Sequence, residues 1–164
     1  MPILTAAMKR MLEEQRLAYV ATVCPDGTPN LSPKATVTPW DDDHLVFADI
    51  ASPGTIRNLR ANPAIDVNVV DPLRRKGWRF RGRAEVVDSG PRFVAMRAFF
   101  AGRGVIDPER RIRGVVLITI ERASEVVSPV YDLGVSEEEV RASWKRYWEA
   151  LEAGRAPRPP DGDY

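Results

Sequence analysis

The chain has 164 residues, 44% of them apolar and 29% charged, the make-up of a single globular domain rather than of a disordered or membrane-spanning chain. Its 24 basic and 23 acidic residues leave a formal net charge of +1, so there is no global positive field to draw it onto nucleic acid, and any anion site has to be local. One cysteine, Cys24, excludes an internal disulfide, one histidine, His44, excludes a Cys/His zinc site, and no apolar run approaches the ~20 residues a bilayer span needs.

Cysteine usage and the charged, amphipathic start "MPILTAAMKRMLEEQRL", which lacks the apolar centre of a secretory signal, point to an unprocessed protein of the reducing cytoplasm. In that opening segment Ile3, Leu4, Ala7, Met8, Met11, Leu12 and Leu17 recur near helical spacing, which predicts an amphipathic helix over 3–17. Val-, Thr- and Tyr-rich runs follow, broken by Pro25-Asp26-Gly27-Thr28 and by Pro39-Trp40-Asp41-Asp42-Asp43. They predict three antiparallel strands over 18–24, 29–38 and 44–50, the first pair joined by a tight turn in which Asp26-Gly27 accepts positive φ.

"SPGTIRNLRANP", residues 52–63, reads as a short helix, with Ser52 as N-cap, Pro53 in the first turn and Pro63 as the stop. The alternating runs "AIDVNVVD" and "GWRFRGRAEVV" predict two further strands around the basic loop Pro72–Gly77. A helix over 90–102 and a long strand from Gly114 follow. The last helix starts at Ser136, where Ser136-Glu137-Glu138-Glu139 has the capping-box form. Residues 1–155 then make one domain, and the polar, proline-rich 156–164 a mobile tail. Six strands in mostly meander order predict an α+β, mainly β protein built on a small closed or partly closed antiparallel barrel with short flanking helices.

A helix start offers unpaired N–H groups and a positive dipole end, so Ser52, Gly54 and Thr55 with Arg57 nearby could cradle a phosphate. The simpler reading is a capped surface helix with Ile56 and Leu59 packed inward. The order of "GTPNLSPK", "LVFAD", "SPGTIRNLRANP", "DP" and "GWRFRGRAEV" resembles the pyridoxamine 5'-phosphate oxidase-like, FMN-binding split-barrel family, well over residues 5–88 and loosely beyond.

That resemblance implies a six-stranded split barrel and a homodimer with FMN in the clefts between subunits. It implies that Ser32, Pro33, Lys34 and Ala35 lie along the flavin ring and ribityl chain, with Phe47, Ala48 and Asp49 beside the cofactor. Ser52, Thr55, Arg57 and Asn58 would hold the phosphate, and Lys76, Gly77 and Trp78 would reach the flavin of the other subunit. It implies an FMN-dependent oxidoreductase passing a hydride through flavin N5 to or from a small molecule. The alternatives are a flavin-binding protein without turnover and a relative that uses F420 or haem.

Two departures bear on this. Family members often carry Lys or Arg where this chain has Gly54 or Thr55, and pyridoxamine 5'-phosphate oxidases carry an Arg-x-His near a C-terminus that here has no histidine. Arg74, Arg75 and Lys76 are read as solvated surface or, less often, as a landing site for a substrate anion. Cys24 has no evident base, and the acidic turn 41–43 lacks the spacing of a calcium loop.

Overall fold

The opening helix, α1, runs Ala6–Gln15 in a computed structural model that describes residues 2–160. The Thr5 hydroxyl accepts from the Met8 N–H at its start and Arg16, in the left-handed region (φ 50), ends it; Met8 and Leu12 turn inward. β1 (Ala18–Val23) and β2 (Pro29–Lys34) form the expected hairpin, with Gly27 at φ 84 and the Asp26 carboxylate accepting from the Thr28 N–H at 3.0 Å.

After β3 (Thr38–Pro39) and β4 (His44–Asp49) comes α2 (Pro53–Ala61). β5 (Ala64–Asp71) and β6 (Lys76–Val87) follow, then α3 (Gly90–Gly102), the one-turn α4 (Pro108–Arg111) and β7 (Gly114–Val127). A 3₁₀ turn (Pro129–Leu133) leads to α5 (Glu137–Glu152), whose start carries the reciprocal Ser136–Glu139 capping box. α4 and the 3₁₀ turn had no periodic signal. Of the expected mobile tail, residues 161–164 lie outside the described residues.

The strand order is β2-β1-β5-β6-β7-β4-β3, every pairing antiparallel, which makes seven strands rather than the six expected. The difference lies in the stretch 29–38. Its first part pairs with β1, ending at Lys34 opposite Ala18, while Thr38 pairs with Val46 of β4. One run of sequence therefore serves both edges of the sheet, and Ala35–Val37 crosses between them. At the crossing the Thr36 hydroxyl accepts from the Ala48 N–H at 3.1 Å.

Inside the barrel Val20, Leu45, Phe47, Val67, Phe80, Val116 and Ile118 pack with Leu12 of α1. On the far side of β4 and β7, Val46, Ala48, Val115 and Leu117 pack with Met96 and Phe100 of α3. β4 is covered on both faces, which is why it reads as a continuous apolar run instead of alternating. A bulge at Arg81/Gly82 lets β6 bend, and a Cβ at Gly82 would lie 2.1 Å from the Thr119 carbonyl oxygen.

Candidate functional site

The C-terminal end of β4 delivers Asp49, nine-tenths buried, to the start of α2. Its carboxylate accepts from the Ser52 N–H at 3.1 Å, and its carbonyl from the Arg113 N–H at 3.0 Å. Ser52 occupies the N-cap position, yet its hydroxyl makes no capping hydrogen bond, because φ −131, ψ 51 turns it away from the cap geometry. The expected cap is thus absent and the first turn of α2 keeps its free donors. Asp49, Ser52, Pro53, Ile56, Arg57, Arg60 and Arg113 surround an open depression of about 350 Å³.

Its three arginines differ. Arg60 is held by Asp88 at 2.5 Å, whereas Arg57 and Arg113 have no acidic partner among the described residues. Two guanidinium groups that face solvent unpaired beside free helix-terminal N–H groups form a site for an oxyanion. Arg113 has no counterpart in the sequence-level site. It reaches this place because Asp49 pairs with Gly114 across the β4–β7 ladder, a register that local sequence does not reveal.

Lys34 ends β2 at 7% exposure, its ammonium donating to the Ser32 hydroxyl and standing 5.9 Å from the centre of the Phe47 ring. Burial pushes its pKa down, and the charge of Asp49 partly offsets that. A buried cation without a carboxylate in contact is costly to keep, so an electron-rich ligand beside it would be favoured. Ser32 is half-buried, while Pro33 and Ala35 are exposed.

The structure does not gather all the expected residues into one surface. Phe47 lies inside the barrel and Ala48 beneath α3, so a ligand there could meet only their backbone. Thr55 and Asn58 are buried and do not line the depression. The Asn58 amide donates to the Thr22 hydroxyl at 3.1 Å and to Cys24 Sγ at 3.5 Å, and its carbonyl oxygen is buried without a partner. These contacts fasten α2 to β1 and place Asn58 away from the residues that line the depression.

Lys76, Gly77 and Trp78 line a second cleft, together with Arg74, Tyr131 and Glu137, apart from the depression at α2. Gly77 has a local reason to be glycine, since a Cβ there would lie 2.0 Å from the Val69 carbonyl oxygen. Among the described residues, no group of three or more His, Cys, Asp or Glu could hold a metal, and no helix is long and apolar enough to cross a membrane.

The fold is a seven-stranded antiparallel split barrel with an arginine-lined depression at the helix after its fourth strand. Residues 4–126 match the pyridoxamine 5'-phosphate oxidase family, and the chain belongs to that family. No curated protein matches it in sequence. Among solved structures, HupZ of Group A Streptococcus is 32% identical, with 76% of this chain and 95% of that one covered and a TM-score of 0.67. An F420 reductase, 24% identical over 74% of this chain and 98% of its own (TM-score 0.58), shares the fold. So does an FMN-binding protein of Syntrophomonas wolfei, 14% identical over 74% and 90% (TM-score 0.58).

Proposed function

We propose that the protein is an FMN-dependent oxidoreductase acting on a small molecule. The observation that carries this reading is the pair Arg57 and Arg113, without an acidic partner among the described residues, at the open start of α2 next to Ser52. An FMN phosphate is dianionic, and two guanidinium groups beside a helix start match it in charge. Bound there, FMN would supply two-electron redox chemistry, exchanging a hydride with a substrate. The chain's own part is to grip the phosphate, to set the buried Lys34 charge near the ring, and to shield the cofactor with barrel walls.

The expected product of purification is a yellow protein that releases a molecule of FMN mass on denaturation and is bleached by NADH or NADPH under anaerobic conditions. A released mass of F420 or haem would replace FMN in this reading. A colourless protein that fails to take up added FMN would overturn it.

The same reading makes the protein a homodimer in the cytoplasm. The outer face of β1 and β2 is uncovered by any helix and presents Tyr19 and Leu31, 46% and 65% exposed, with Pro29 and Pro33 beside them. Next to this apolar half lie Asp66, Arg79 and Arg81 in mutual ion pairs. An apolar patch rimmed by charge suits a second copy. Leu31→Asp is expected to turn dimers into monomers in sedimentation at micromolar concentration; an unchanged dimer would move the interface elsewhere.

A further inference from the structure

The outer face of β6 and β7 gathers charge that the flavin reading leaves unused. Trp78 and Phe80 pack against the barrel core, so Arg79 and Arg81 point outward on the alternate positions of β6. The bulge brings Arg122 of β7 to the same face. Ile120 and Ala123 both pack against the core, and two residues lie between them where an unbroken strand would have one. Arg81 pairs with Arg122 and Gly82 with Ile120, which leaves Glu121 as the inserted residue and turns Arg122 outward. Arg79 then stands opposite Ser124, and Arg79, Arg81, Arg122 and Ser124 line a depression of about 260 Å³.

Two arginines directly opposite each other on a ladder repel, and such a pair costs stability unless a counter-charge lies between them. On the β5 side of Arg81 a counter-charge exists. Asp66, opposite Arg81, accepts from Arg79 and, at 3.4 Å, from Arg81. On the β7 side the corresponding place belongs to Arg122, which has no acidic partner among the described residues. Glu121 lines a separate trough with Arg81 and Arg83. Three guanidinium groups against one carboxylate leave two positive charges unmatched around the depression.

We propose that this depression binds a small dianion built of two linked oxyanion groups, a diphosphate or a dicarboxylate, one group bridging Arg81 and Arg122 as Asp66 bridges Arg79 and Arg81. A guanidinium fork takes either kind of group in two parallel hydrogen bonds, and the Ser124 hydroxyl supplies a further donor. None of these four residues lines the depression at α2 or the cleft of Lys76. β5 and β6 stand between β7 and the apolar patch on β1 and β2, so a dimer formed through Leu31 need not cover the site. The inference rests on neither the flavin reading nor the dimer.

Pyrophosphate and succinate are the probes, titrated by calorimetry at low salt into the full chain carrying Arg57→Ala and Arg113→Ala, so that the depression at α2 cannot supply the signal. At least one of them is expected to bind with a Kd below about 1 mM, and the tighter of the two names the source of the oxyanion groups. Adding Arg122→Gln is expected to weaken that binding about tenfold, the scale of one charge-assisted hydrogen bond. Arg83→Gln removes the same charge from the same strand face outside the depression, and should change binding less than about twofold. Arg122→Glu sets an acid opposite Arg81; it is expected to abolish binding and to raise the urea midpoint above that of the parent chain.

Three results would each overturn the proposal. Neither probe binding below about 1 mM would leave the depression without its ligand. Arg83→Gln losing as much as Arg122→Gln would reduce the effect to the general field of the face. A urea midpoint for Arg122→Glu no higher than the parent's would remove the repulsion that the anion relieves. A chain that takes up no FMN yet gives the expected order of variants would defeat the flavin reading and leave this one standing.

Discussion

Arg57→Ala is expected to weaken FMN binding by about 30-fold, against less than about threefold for Arg60→Ala, the first figure following from about 2 kcal/mol for a charged hydrogen bond. The two arginines are three residues apart on one helix and both are exposed, so composition and position barely separate them. Their partners do. Arg60 already neutralises Asp88, and its removal costs a surface ion pair, whereas Arg57 faces the depression beside Ser52 and Arg113 with its charge unspent. Arg113→Ala should behave like Arg57→Ala, because the phosphate would sit between the two. A flavin-fluorescence titration of the three variants decides the matter: equal affinities for Arg57→Ala and Arg60→Ala would remove Arg57 from the phosphate site.

The largest expected loss of stability from a single methyl group is at Gly77. An added Cβ would lie 2.0 Å from the Val69 carbonyl oxygen and 2.8 Å from Val70 Cα, both main-chain atoms of the neighbouring strand. Neither can rotate out of the way. The β5–β6 ladder would have to open at the Val70–Gly77 pair, at a cost of about 3 kcal/mol, the upper part of the overpacking range. Gly54, in the first turn of α2, has nothing within 4 Å of its would-be Cβ, so Gly54→Ala should be neutral or stabilise by up to about 1 kcal/mol. Urea denaturation of both variants is the measurement. A Gly77→Ala chain as stable as the native one would mean that the strands do not approach this closely in solution.

Elements with a strong local signal were legible from the chain alone. Ser136 with Glu139, Asp26-Gly27, and the alternation of β5 and β6 each specify their structure through contacts a few residues apart, and the structure reproduces them within a residue or two. What local pattern does not encode is a change of partner. "NLSPKATVTP" carries no mark at Ala35 to show that its two halves belong to opposite edges, because the break is set by where β1 and β4 stand in the sheet.

The site divides the same way. Arg57 stands out as a cation on a short helix. Arg113 becomes visible only through the β4–β7 register. Asn58 resembles a family ligand by spacing, yet the nine-residue helix rolls it toward Thr22. One position on a helix wheel separates an arginine that lines the depression from an asparagine that holds the helix down.

The placement of the broken strand also governs how copies of the chain can meet. Both outermost strands contain proline, Pro29 and Pro33 in β2 and Pro39 in β3, each missing the N–H that a newcomer would need. A third of β2 and half of β3 thus offer no N–H to an added strand. The proposed dimer would then form side to side, through faces and side chains, rather than by lengthening the sheet, and crowding the chain should give discrete pairs rather than ribbons.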